Sequence, residues 1–258
     1  MIIAWFSAGC TSAVACKLAL DKYGPENVRL VYIKIDSAHS DNDRFIADCE
    51  RWYGKEIEVI QSEKYKDQFD VIKKARFING PNGAACTAKL KKDVRHLFEK
   101  QNPFNHQVFG FELSKKEVNR AVRFKEQNPH TKPIFPLIER RISKKEAMFI
   151  LRENGIKLPK MYSIGFKNNN CIGCVKGGMA YWAKVRKHFP VQFDQMDQIE
   201  RGIGRSCING IELKNLPPDH LIKPEKIDMP DCGLFCEIEF ADLLSPKTEK
   251  IMNGIEVI

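Results

Sequence analysis

Two short stretches of this 258-residue chain carry reactive or ligand-binding groups at spacings that a chemistry could use. The first is Cys171-Ile172-Gly173-Cys174, which follows the polar run Lys167-Asn168-Asn169-Asn170 and precedes Val175-Lys176-Gly177-Gly178. Two thiols on a glycine-flanked loop can turn toward one metal, and the nearby lysines are expected to lower their pKa. The same spacing also suits a redox dithiol, or two unrelated thiols. A supply of nine cysteines in all favours a metal or cluster, although the pattern does not choose the metal. The second stretch is Ser7-Ala8-Gly9-Cys10-Thr11-Ser12, small and hydroxylated throughout. If a helix starts here, its unpaired N–H groups and positive dipole end favour an anion, Gly9 lets the backbone approach it, and the hydroxyls of Ser7, Thr11 and Ser12 add donors. Taken alone, the stretch reads as an ordinary serine cap that binds nothing.

The flanks decide what these groups sit on. Ile2-Ile3-Ala4-Trp5-Phe6 is β-branched and aromatic and too short for an amphipathic helix, whereas Ala13 to Leu20 is built of helix formers, so the order is strand, tight turn, helix. Asn27 to Ile35 reads as a second strand ending at Asp36, Ser40 to Tyr53 as a helix, and Glu56 to Gln61 as a third strand. Alternation of this kind predicts right-handed βαβ units, a parallel sheet, and ligands at the carboxyl ends of its strands. Asp36 then shares an edge with the Ser7 loop, either to meet ribose or adenine or as a turn former. Asn79-Gly80-Pro81-Asn82-Gly83 is a loop that delivers Cys86, and a lysine-rich helix follows to about Lys100. Gln107 to Glu112 is a fourth strand. Glu117, Arg120 and Arg123 recur at helical spacing, as a surface ion pair or a phosphate fork. Ser143 with Glu146 forms a capping box, and Gln192 to Ile208 is a further helix. Pro217, Pro218, Pro224 and Pro230 mark an irregular C-terminal segment.

Forty-two Lys and Arg against thirty-three Asp and Glu leave a net charge of +9, which suits anionic partners: nucleotides, and nucleic acid as an option. The apolar start lacks the features of a signal peptide, and no stretch has transmembrane length, so a cytoplasmic protein without membrane contact is expected. In that compartment the cysteines are not a disulfide framework. Cys16 and Cys49 read as small buried hydrophobes, as does Cys10, although it lies within the loop. Cys207 is assigned the same structural part.

Ser-x-Gly-x-Thr-Ser is neither the Walker pattern nor Gly-x-Gly-x-x-Gly. It resembles the Ser-Gly-Gly-x-Asp/Thr-Ser loop of the PP-loop ATP pyrophosphatases, with Ala8 at the place of that family's first Gly. The order of several motifs narrows the resemblance to the phosphoadenosine phosphosulfate (PAPS) reductase family over about residues 1 to 190. They are the Ser7 loop, Cys86 before Lys89 to Lys92, Gly110 with Glu117 and Arg120, Pro133-Ile134-x-Pro136-Leu137 as a helix, Leu158-Pro159-x-Met161-Tyr162, and Gly165 leading to Cys171-x-x-Cys174. The loop is more similar to the ATP-splitting, sulfur-transfer branch than to the true reductases.

The resemblance implies an α/β fold of the Rossmann-like PP-loop type, with a nucleotide-binding domain over 1–165 and a cysteine-bearing segment over 166–258. It also implies ATP or an adenylyl nucleotide, with Mg, held by Ser7 to Ser12, Asp36, Gly110, Glu117 and Arg120. A 4Fe-4S cluster, with zinc as the alternative, would sit on Cys86, Cys171 and Cys174. The tail Asp231-Cys232-Gly233-Leu234-Phe235-Cys236 is similar to the reductases' ending, so Cys232 or Cys236 is the nucleophile, the fourth ligand, or neither. Partners implied are an adenine nucleotide, a sulfur or electron donor protein, a nucleic-acid acceptor and a second copy of the chain. Three functions stay open: adenylation-coupled sulfur transfer, PAPS or adenylyl-sulfate reduction, and a zinc-stabilised binding module.

Overall fold

Strand β1, Ile2–Phe6, is buried at every position, as expected of a central strand covered on both faces. In the computed structural model, which describes residues 1–80 and 83–217, it pairs in parallel with β2, Val28–Ile33, and with β6, His106–Val108. Helix α1, Cys10–Tyr23, follows β1. Its Ala13, Ala15, Cys16 and Ala19 are all buried, and such small side chains let the helix lie close to the sheet. Helix α2, Asp41–Tyr53, has Asp41 and Asp43 in its first turn and ends at Gly54 in the left-handed region. Strand β3, Glu58–Ile60, pairs with β2.

After β3 come α3, Gln68–Ala75, capped by Asp67, and a small hairpin of β4, Asn79–Gly80, with β5, Gly83–Ala84. Helix α4, Ala85–Thr87, runs through a π-helical turn, Ala88–Lys92, into α5, Asp93–Gln101. Beyond β6 lie α6, Lys115–Gln127, β7, Pro133–Ile134, and α7, Pro136–Glu139. Then follow α8, Lys144–Glu153, and α9, Lys160–Ser163. The last two helices are α10, Met179–His188, and α11, Pro190–Ile203.

The sheet is five-stranded and parallel, in the order β3-β2-β1-β6-β7. The chain builds outward from β1 to β3 and then returns to the other side of β1 at β6. The order therefore reverses between β1 and β6, and a crevice opens outside their carboxyl ends. The Ser7 loop leaves β1 at that point.

The α/β class and the parallel sheet stand as read from the sequence, and several boundaries move. Pro133-Ile134 is a short edge strand and only Pro136–Glu139 is helical; proline is tolerated as the first residue of an edge strand. Strand β6 stops at Val108, so Phe109 to Glu112 line the crevice as loop. The loop before Cys86 pairs as a hairpin. Helix α11 ends at Gly204, φ +70°, which leaves Cys207 outside it. Helices α3 and α10 have no counterpart in the sequence reading, because each is short and lies between turn signals.

The two largest apolar clusters are one between α1, α2, α8 and one sheet face, and a second centred on Trp182, Phe69 and Met196. The second cluster draws residues from 69–84 as well as 161–216, so the segment bearing Cys86 packs with the segment bearing Cys171 and Cys174. Among the described residues no helix is long and apolar enough to cross a membrane. Cys232, Cys236 and Pro218, Pro224 and Pro230 lie outside the described residues.

Candidate functional site

The loop after β1 is closed by its own hydroxyls. Ser12 Oγ donates to the Gly9 carbonyl at 2.9 Å and accepts from the Ser7 N–H at 3.0 Å and the Ser7 hydroxyl at 2.9 Å. Gly9, the residue before α1, has no side-chain cap, and the first-turn N–H groups of a helix have no intrahelical partner. Ala8 is fully buried at φ +56°, one of four non-glycine residues among those described with positive φ. The left-handed backbone is what a glycine at this place would adopt without strain. From the other wall of the crevice, Gly110 meets the loop directly: a Cβ there would lie 2.6 Å from Ser12 Cα and 2.7 Å from Ser12 N. Only a residue without a side chain lets the loop after β6 and the start of α1 come this close.

Ser12→Ala leaves the Ser7 N–H without its acceptor and frees the loop. The expected result is a loss of about 1–3 kcal/mol in stability and roughly tenfold weaker ATP binding, read by thermal unfolding and calorimetry. Unchanged affinity would remove the phosphate-binding role from this stretch.

Polar groups gather around the same helix start. Burial pushes the Cys10 thiol pKa up, and the Tyr162 hydroxyl pulls it back; the Tyr162 oxygen lies 3.5 Å from its Sγ and 3.4 Å from its N. Lys144 has its Nζ 5.3 Å from the Tyr162 ring centroid and donates to the Lys167 carbonyl and Asn168 Oδ1. Burial also raises the Glu112 pKa, which Lys144 opposes and Glu117 reinforces. One Glu112 oxygen is buried without a hydrogen-bond partner among the described residues. Glu117 and Arg120 pair with each other at 3.2 Å on α6, the Arg120 guanidinium over the Phe111 ring. Asp36 shares the carboxyl edge but sits in a turn and lines a 540 Å³ cleft on the β3 side, with Tyr65, Lys64, Lys66, Lys73 and Lys74.

The Cys171–Cys174 turn is held from several sides. Gly173 has φ +82°, and a Cβ there would come within 2.9 Å of the Phe69 ring. The Tyr181 hydroxyl accepts from Cys174 N at 2.8 Å and donates to the Cys171 carbonyl at 2.9 Å, fastening both ends. The Ile172 N–H donates to the Ser37 carbonyl at 2.8 Å, and Gln68 Nε2 to the Ile172 carbonyl at 2.7 Å. Cys86 and Cys171 both pack on the buried trio Ile35, Val71 and Leu90.

The expected lowering of the thiol pKa is reversed at Cys171, and Cys86 is raised as well. Burial, reinforced by Cys174 and Cys171, pushes Cys86 up to about 11, against the opposing pull of Lys91 and Lys176. Burial likewise raises Cys171, with Lys91 opposing. Desolvation outweighs the lysines because their ammonium groups act from the solvent side.

Cys207, read from the sequence as structural, lies beside this group. It is buried, its pKa is raised by burial, then by Glu200, and further by Cys174 and Cys86. The Asn79 side-chain amide donates to both the Val175 carbonyl at 2.8 Å and the Cys207 carbonyl at 3.2 Å, while buried Glu200 accepts from Cys207 N at 2.6 Å. No local signal in Arg205-Ser206-Cys207-Ile208 announces this placement.

The donor set is sulfur throughout, which suits an iron–sulfur cluster, where each thiolate binds a different iron. The same all-sulfur set suits a structural zinc ion. Among the described residues no three His, Cys, Asp or Glu side chains, Cys86, Cys171 and Cys174 included, are grouped so as to hold a metal ion.

The model of the phosphoadenosine phosphosulfate reductase domain matches residues 1–178. No curated protein matches. Among solved structures the chain is similar to the U34-tRNA thiolase NcsA from Methanococcus maripaludis with its 4Fe-4S cluster. The identity is 15% and the TM-score 0.46, over 80% of this chain and 72% of that one.

Proposed function

This chain is a member of the phosphoadenosine phosphosulfate reductase domain family, and on that premise we propose that it is an ATP-using enzyme of sulfur transfer. The observation that carries the reading is the Ser7–Ser12 loop, closed on Ser12 Oγ and pressed against Gly110 at the crevice between β1 and β6. In this reading the first-turn N–H groups of α1 receive the β- and γ-phosphates, and Lys144 adds positive charge beside them. An acceptor oxygen attacks the α-phosphorus, the bond to the bridging oxygen breaks, and pyrophosphate leaves with the electron pair. A sulfur nucleophile then displaces AMP from the activated carbon.

Cys86, Cys171 and Cys174 would hold a 4Fe-4S cluster, which when bound supplies a sulfur-carrying or electron-carrying iron centre. The proposed division is a nucleotide-binding unit over 1–165 and a cysteine-bearing unit over 166–258, with Cys86 contributed by the first. The basic balance of +9 suits a nucleic-acid acceptor. The proposal also includes Mg on the phosphates, a donor protein for sulfur or electrons, a homo-oligomer and a cytoplasmic setting.

Anaerobically purified protein should be brown, with absorbance near roughly 400 nm, and should release pyrophosphate from ATP when RNA or DNA acceptors are supplied. Colourless protein with one zinc per chain and no ATP cleavage would instead support the binding module. Sulfite release from PAPS or adenylyl sulfate, lost on Cys232→Ser, would move the function to a reductase.

A further inference from the structure

The loop that leads into Cys171 is bonded to the loop that leaves β1. Asn169 Nδ2 donates to the Ala8 carbonyl at 2.6 Å and to Asn42 Oδ1 at 2.7 Å, and its backbone N–H reaches the Tyr162 oxygen. That same phenol oxygen meets Cys10 N at 3.4 Å, so two separate links join residue 169 to the turn at Ala8–Cys10. The bond to Ala8 has a consequence for anion binding. The Ala8 carbonyl and the Gly9 N–H belong to one planar trans peptide and point in opposite directions. A donor that draws the carbonyl one way aims the N–H the other way, and an anion accepting from that N–H polarises the same peptide and strengthens the bond to Asn169. Rotation of this peptide, through ψ of Ala8 and φ of Gly9, is the local alternative that the bond from Asn169 opposes.

We propose that Asn169 is a positioning residue that links the two halves of the site. By holding the Ala8–Gly9 peptide it aims the anion cradle, and through it the phosphates of a bound nucleotide order the segment carrying Cys171 and Cys174. By reciprocity, whatever orders that segment strengthens nucleotide binding by the same factor. This inference rests on the reading of the Ser7–Ser12 loop as a nucleotide site.

The test uses the full chain with ATP and inorganic pyrophosphate as probes. Calorimetry gives the affinity, and backbone amide exchange is followed in a peptide covering residues 165–176. In the wild type, saturating ATP should slow exchange there about fivefold or more, the size of one neutral hydrogen bond. In Asn169→Ala that protection should fall below about twofold and ATP affinity should drop about five- to tenfold. Asn169→Ser, whose hydroxyl is too short to reach Ala8, should behave alike, whereas Asn170→Ala on the same loop should match the wild type. Pyrophosphate alone should reproduce the protection, because the link runs through the phosphates. ATP protection as large in both Asn169 variants as in the wild type, or a wild type that binds ATP without protecting this segment, overturns the inference and leaves the nucleotide site standing. A wild type that binds neither ATP nor pyrophosphate overturns the nucleotide reading, and the inference with it.

Discussion

Gly110→Ala should abolish nucleotide binding while leaving most of the protein folded. The added methyl would have to occupy a point 2.6 Å from Ser12 Cα, 2.7 Å from Ser12 N and 3.0 Å from Thr11 C, all backbone atoms in the first turn of α1. No side chain can swing away to make room, so the loop after β6 and the start of α1 must separate. Overpacking of this kind costs about 1–3 kcal/mol, and for a chain of this size that is a fall in Tm of roughly 2–12 °C. The functional loss should be larger than the loss of stability. The displaced groups are those that would face the phosphates, and a misplacement on the order of 1 Å can cost about a hundredfold. Calorimetry with ATP and a thermal melt on the same sample separate the two effects. A variant that melts lower yet binds ATP as tightly as the wild type would show that the crevice between β1 and β6 is not where nucleotide sits.

The second large effect concerns the thiols. Replacing any one of Cys86, Cys171 or Cys174 by Ser should lower iron per chain by about tenfold or more, the upper range for loss of a metal-site partner, and bleach the visible absorbance of anaerobically purified protein. A serine hydroxyl is a poor ligand for an iron–sulfur cluster. Serine is close to cysteine in size, so even where the thiol is desolvated, as at Cys86 and Cys171, the fold itself should tolerate the change, with Tm of the metal-free protein shifting little. The turn is also fastened independently of its sulfurs by Tyr181, Gln68 and Ser37, which argues that loss of iron in these variants would report ligation rather than collapse. Full iron content in all three single variants would remove the cluster from this site.

Much of the architecture is legible from local chemistry. Ile2 to Phe6 is apolar without a break and ends at a small, hydroxylated turn, and both signals act over a few residues, so β1 matches the reading and α1 follows it, starting three residues earlier, at Cys10. The capping box of Ser143 and Glu146 is present for the same reason. Short elements were not legible. Strand β7 has two residues, one of them proline, and gains its strand character only by pairing with β6. The structural part read for Cys207 agrees with its burial, whereas its neighbours Asn79, Val175 and Glu200 are not legible because they are distant from one another in the chain.

By itself, the order of residues determined the alternation of strands and helices, the small, hydroxylated turn that follows β1 and the supply of thiols at Cys86, Cys171 and Cys174, because periodicity, capping and motif spacing are local properties. The tertiary structure alone decided that Gly110 must lack a side chain, that the lysines lose to burial in setting the Cys86 and Cys171 thiols, and that Asn169 ties the cysteine turn to the Ala8 carbonyl. Each of these depends on atoms brought together from remote parts of the chain, and close approach, desolvation and a shared hydrogen bond exist only once the sheet has closed the distance.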